Sequence, residues 1–323
     1  MKECINIYPA TKHIDIGKRV DNDPPIFEKI NLYKFSNSYI STFGYIIHDF
    51  RVLKEGISFR HRNSISFKHV LSFMFFKKKI KIDSTCLSIA NGWYDSYYHF
   101  TLECLPKLFL MKDFIDNSIL VFPSKLSSFH MQWFSILNVH HIQFINENEV
   151  VKAKVSITSS FSSRDLNHHD LITPDFRDWV LSKIKQKDKL YNTKIFIGRK
   201  NPKFRILLNN DDVVKMLNRY GFVYLEMEDF SVEDQISIFN NAKQIICLHG
   251  AALSNICFCK PNTKIIDLMH EDFKQWCFLK LAIILNLNYS IFTCKGNNQV
   301  DKLPGHRDIL VDIDSLEQLI KTW

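Results

Sequence analysis

Short apolar runs alternate with amphipathic stretches through the second half of the chain. Residues 194–197, 222–225, 244–248, 263–268 and 289–292 are rich in Ile, Leu, Val, Phe and Cys, the pattern of strands buried on both faces of a parallel sheet. Between them, 211–220, 231–242 and 272–285 carry apolar residues at helical spacing, and Ser231 with Asp234 suits a capping box at a helix start. A strand at 310–311 and a helix at 316–323 close the chain. This order predicts a doubly wound parallel sheet whose ligand sits at the strands' carboxyl ends. The first half reads differently. After an irregular lead-in over 1–29, residues 31–35, 39–43 and 45–48 predict a small antiparallel meander. A helix over 67–76, strands at 85–90, 119–122, 139–145 and 155–158, and helices at 95–110, 127–137 and 175–187 follow, with Pro106 kinking the first long one. The class is α/β. The charged tail from Lys183 to Lys189 marks a crossing between a first domain over 1–187 and a second over 188–300. Residues 301–323 form a separate strand and helix able to pack back on the N-terminal domain.

Two strand ends point chemistry at one crevice. The run 244–248 stops at His249, and Gly250, Ala251 and Ala252 then supply little or no side chain. Ser254 and Asn255 suit the cap of a helix beginning near Ile256. Backbone amides at such a turn can face an anion, because small residues let a ligand approach and a helix start carries partial positive charge. An ordinary tight turn with a buried histidine has the same sequence. Arg199, Lys200 and Arg205 follow the strand at 194–197, a position suited to guanidinium forks on phosphate oxygens or, more simply, to loop surface charge. In the first half, His99 and Glu103 are spaced i, i+4 and share one helix face. A carboxylate beside an imidazole can serve as a general base; the same spacing suits a surface ion pair.

Composition narrows the function classes. With 323 residues and 46% hydrophobic content the chain can bury a real core, and 27 Phe and 11 Tyr against 9 Gly point to dense aromatic packing. The formal charge of +8 favours an anionic ligand or partner. It is spread along the chain apart from Lys77, Lys78 and Lys79, which ranks a nucleic-acid stripe last. The start of the chain lacks the apolar core of a signal peptide and no apolar run reaches spanning length, so a cytoplasmic protein without a transmembrane segment is expected, with peripheral attachment to a membrane left open. The eight cysteines sit mostly inside apolar runs and read as reduced core residues. Asp21 with Asp23, and Asp312 with Asp314, mimic the DxD pattern of metal-dependent sugar transferases in poor contexts, and the paired histidines at 140–141 and 168–169 lack a ligand set for zinc. No metal or other cofactor is expected.

Taken together, the motifs resemble glycosyltransferase family 61. The resemblance rests on Tyr97, Tyr98, His99 and Phe100 with Glu103 and Pro106, then Ile197, Gly198 and Arg199 with Arg205 and Asn209. It continues through Gly221 and Phe222, 231–235, and His249 to Asn255, as far as Ile265 to Leu268. It implies two facing Rossmann-like domains of the GT-B type, 1–187 on the acceptor side and 188–300 binding the nucleotide sugar, with a small antiparallel addition in the N-terminal half. It also implies transfer of a sugar from a nucleotide donor with inversion and without a metal. Glu103 stands where Asp is more familiar, Ala252 where a second Gly is usual, Asn210 where Glu often follows, and Asp267 where Glu often ends the strand. By resemblance, Glu103 or His99 is the base. Arg199, Lys200, Arg205, His249, Gly250, Ala251, Ala252, Ser254 and Asn255 bind the donor. The first donors to try are UDP-linked, with xylose or N-acetylglucosamine, and the acceptor is a glycan hydroxyl in surface polysaccharide or glycoprotein glycan synthesis. The competing reading is a non-catalytic nucleotide- or glycan-binding module of the same fold.

Overall fold

Five parallel strands organise the second half as the apolar runs predict: β11 (Lys194–Ile197), β12 (Val223–Leu225), β13 (Gln244–Leu248), β14 (Lys264–His270) and β15 (Asn288–Cys294). This computed structural model describes residues 2–9, 29–57, 65–164, 166–184, 192–296 and 302–323. The chain divides into two units, Met1–Lys183 and Ile184–Trp323. Asp21 and Asp23, and the crossing from residue 185 onward, lie outside the described residues.

In the second unit the strand order is β12-β11-β13-β14-β15, every pair parallel. That is a doubly wound order, with its reversal between β11 and β13, the point at which such sheets take ligands at the strands' carboxyl ends. Alternation sorts β13: Ile246 and Leu248 join one core cluster, so Ile245 and Cys247 point to the other face. The first cluster takes Val213, Met216 and Leu217 from the helix Asn210–Arg219, which ends at Gly221 with φ of 78°. It also takes Leu316 and Ile320 from the helix Ile313–Lys321. The C-terminal helix therefore belongs to this unit's core.

The first unit carries one mixed eight-stranded sheet. Its strands are β1 (Lys2–Tyr8), β2 (Ile30–Ser41), β3 (Ile46–His48), β4 (Arg51–Val52), β5 (Lys78–Ser88), β6 (Ile119–Pro123), β7 (Ile142–Ile145) and β8 (Glu149–Ser159). They run in the order β4-β3-β2-β8-β5-β6-β7, with β1 on β2, and a separate antiparallel pair, β9 (Ser163–Arg164) and β10 (Asn167–His168), follows in the chain. β8, β5, β6 and β7 are mutually parallel neighbours, whereas β1 to β4 are antiparallel. The meander is not a separate addition: β2 pairs with β8 from Leu32 to Ser41 and carries it into the main sheet. This unit is mixed where a Rossmann-like parallel sheet was expected. Seven of the eight cysteines are buried, and Cys4 is exposed. No helix among the described residues is long and apolar enough to cross a membrane.

Candidate active site

In the first unit the chemistry follows β5, between two parallel neighbours. The chain leaves Ser88, reaches buried Asn91, and enters a continuous helical run of Tyr97–His99, Phe100–Cys104 in π form, and Leu105–Leu110. Pro106 has no N–H for the Leu102 carbonyl and its ring would crowd it, which accounts for the widened turn before it. Glu103 is only 3% exposed, so the pair is no surface ion pair. Its Oε2 accepts from Asn91 Nδ2 at 2.9 Å and meets His99 Nδ1 at 2.9 Å. Asn91 Oδ1 in turn accepts from the Trp93 amide at 2.9 Å, and the Trp93 ring stacks on His99 at 4.9 Å. The carboxylate fixes the proton on Nδ1, so Nε2 is left as the lone-pair nitrogen. His99 keeps 19% side-chain exposure, and among the described residues Nε2 has no hydrogen-bond partner. A base backed by a buried carboxylate is what this arrangement can supply.

In the second unit the reversal point of the sheet gathers the cations. Arg199 and Arg205, both half-buried, converge on the His249 carbonyl, Arg199 through Nη2 and Arg205 through Nη1 at 3.0 Å. Among the described residues neither guanidinium has an ion-pair partner, and the buried Arg205 Nε has no acceptor. Burial lowers both pKa values, and Arg199 adds to the effect on Arg205, which comes down to about 10. Arg205 also sits at φ of 58° and Asn201 at 45°, a left-handed backbone that costs a side-chain-bearing residue. Gly250 answers the same crowding: a Cβ there would overlap the Arg199 guanidinium.

Behind this carbonyl the His249 ring is held from the other side. Asp267, fully buried in β14, meets His249 Nδ1 at 2.7 Å and accepts from the Tyr289 hydroxyl at 2.6 Å through the same oxygen. Burial and the adjacent carboxylate push the Tyr289 phenol well above its ordinary pKa. Phe273 and Phe278 pack on the imidazole at 5.1 and 5.3 Å. Asp267 stands in a strand that reads as buried on both faces, where a carboxylate must be paired. That signal could have exposed the triad; Tyr289 and Asn91 carried none.

Other expected positions change. A 3-10 helix, Ala251–Phe258, starts directly after Gly250, so Ser254 and Asn255 lie inside it rather than capping a helix at Ile256. Asn255 Nδ2 donates to Gln235 Oε1 at 3.0 Å, tying the segment to the helix Val232–Asn241, and Ser254 Oγ is buried without a partner. No acceptor among the described residues meets the amides of Gly250, Ala251 or Ala252. Lys200 is exposed and its ammonium is engaged by Asp229, which raises its pKa. Asp312 caps the C-terminal helix, accepting from the Ser315 amide at 3.2 Å, which removes it from any DxD role. No group of three or more His, Cys, Asp or Glu among the described residues can hold a metal ion.

Comparison with known proteins bears on both strand ends. The family described as Glycosyltransferase 61 matches residues 97–266, a span that contains His99, Glu103, Arg199, Arg205 and His249. No curated protein matches the chain significantly. With more than half of its 323 residues inside that match, the chain belongs to the glycosyltransferase 61 family, enzymes that move a sugar from a donor to an acceptor.

Proposed function

We propose that the protein is an inverting, metal-independent glycosyltransferase that uses a nucleoside-diphosphate sugar, UDP-linked, with xylose or N-acetylglucosamine as the first sugars to try. Its acceptor is a glycan hydroxyl in surface polysaccharide or glycoprotein glycan synthesis. The observation that carries this reading is the pair of half-buried guanidiniums of Arg199 and Arg205, which share one carbonyl and have no carboxylate at ion-pair distance among the described residues, Asp267 acting on both only at longer range. Two like charges held in a partly desolvated site are costly, and a diphosphate would relieve them.

In the first unit, His99 Nε2 takes the acceptor hydroxyl's proton as its oxygen attacks the anomeric carbon from the face opposite the diphosphate. Glu103 stabilises the imidazolium that forms. In the second unit, Arg199, Arg205 and the amides of Gly250 to Ala252 receive the charge that builds as the glycosidic bond to the diphosphate breaks. His249, with Nδ1 held by Asp267, offers Nε2 to a sugar hydroxyl. Lys200 joins only by leaving Asp229.

A thermal-shift and donor-hydrolysis panel of UDP, GDP and CMP sugars, each with and without EDTA, tests this. Ligands that bind only the folded state raise apparent stability. A shift with one nucleotide class that EDTA leaves unchanged, with slow release of that nucleotide, is expected. A response abolished by EDTA would overturn metal independence, and no shift with any donor would overturn the reading.

A further inference from the structure

A second surface of the first unit lies outside the transferase chemistry. The helix Phe67–Leu71 and its π-form continuation Ser72–Phe76 press Val70 and Phe73 into a cluster with Ile47. That packing leaves Phe67, Phe75 and Phe76 on the outside, 62%, 60% and 85% exposed. Phe50 joins them from the β3–β4 hairpin, 49% exposed, with its ring centroid 6.3 Å from that of Phe75. The hairpin pairs His48 with Arg51 around a two-residue loop, Asp49 at φ of 46° and Phe50 at 58°. Such loops favour Asn and Gly, and a phenylalanine in a left-handed conformation is strained. The chain accepts that strain and presents the ring to solvent. Phe50 and Phe67 also rim a cleft of about 930 Å³.

Cations accompany the rings on the cleft and along the chain. Arg51, Lys54, Lys68 and Lys79 are exposed and have no ion-pair partner among the described residues. Lys77 lies over the Phe73 ring at 4.4 Å, and Lys78 pairs with Glu149 at 3.1 Å. The acidic groups on the cleft are Asp49, paired with His48, and Glu55. Four solvent-facing phenylalanines, with Arg51 and Lys54 on the shared cleft and Lys68 and Lys79 close to them in the chain, combine apolar and anion-seeking groups. That matches a bilayer interface, where aromatic rings sit at headgroup depth and basic side chains meet lipid phosphates.

We propose that this face docks the protein on an anionic lipid bilayer, with Phe50, Phe67, Phe75 and Phe76 entering the interface and Arg51, Lys68 and Lys79 contacting the headgroups. The proposal is independent of the donor chemistry. Full-length protein is sedimented with vesicles of phosphatidylcholine alone or mixed with phosphatidylglycerol, at low and high salt. Binding is expected only with the anionic vesicles and falls with salt, since each lysine near such a surface contributes roughly fivefold. F75S/F76S and K68E/K79E should each weaken binding about tenfold or more while leaving the unfolding temperature unchanged. Absence of sedimentation, equal binding to both vesicle types, or binding unchanged in both variants would overturn it. So would a concentration-dependent dimer that F75S/F76S abolishes in a protein that ignores lipid.

Discussion

At the scale of single residues, the His99–Glu103 pair gains its meaning from burial. Exposed i, i+4 pairs contribute only about 0.3–0.5 kcal/mol, but here the carboxylate is nearly enclosed and also held by Asn91. The spacing was legible in the sequence. The enclosure was not, because Asn91 and Trp93 reach the pair through the loop after β5, which no periodicity encodes. His99→Ala should lower kcat by roughly 10²–10⁴ with little change in donor affinity. Glu103→Gln should lose less, since the amide still orients the ring. Separate measurement of kcat and donor Kd checks both, and a variant pair with near-normal kcat would remove His99 from the base role.

At the scale of elements, the alternation of strand and helix in 194–294 was readable because strands buried on both faces leave continuous apolar runs. The order in which those strands pair was not readable, since all five have similar composition, and it is this order that sets β11 beside β13. Only then do Arg199 and His249 meet. The start of Ala251–Phe258 was misjudged for a similar reason: Asn255 finds Gln235 on a facing helix, and that tertiary partner overrides its capping preference. Gly250→Ala tests the packing of the two strand ends. Its methyl would displace the Arg199 guanidinium, so donor affinity should fall roughly as far as in Arg199→Ala while the fold survives. Unchanged donor affinity would mean that Arg199 is not held there for the donor.

At the scale of the whole molecule, composition indicated a large aromatic core, which the many buried phenylalanines supply, but it hid a charge inside the first unit. Lys107 is fully buried, donates to the Gly56 carbonyl at 3.0 Å, and burial brings its pKa down to about 8 from 10.5. Between those values the unfolded chain keeps a proton that the folded chain releases, so this group's contribution to stability rises with pH and is most unfavourable below about pH 8. The stability difference between wild type and Lys107→Met should therefore climb across that window, on the order of a few kcal/mol; a flat difference would contradict it. The central claim concerns the other unit: that Arg199 and Arg205, with no carboxylate at ion-pair distance among the described residues, cradle the donor's diphosphate. Calorimetric titration of UDP and GDP into wild type, Arg199→Ala and Arg205→Ala in the presence of EDTA tests it most directly. Each lost charged hydrogen bond should cost about 1.5–3 kcal/mol, roughly 10- to 100-fold in Kd for the preferred nucleotide. Equal affinity in all three proteins would contradict it.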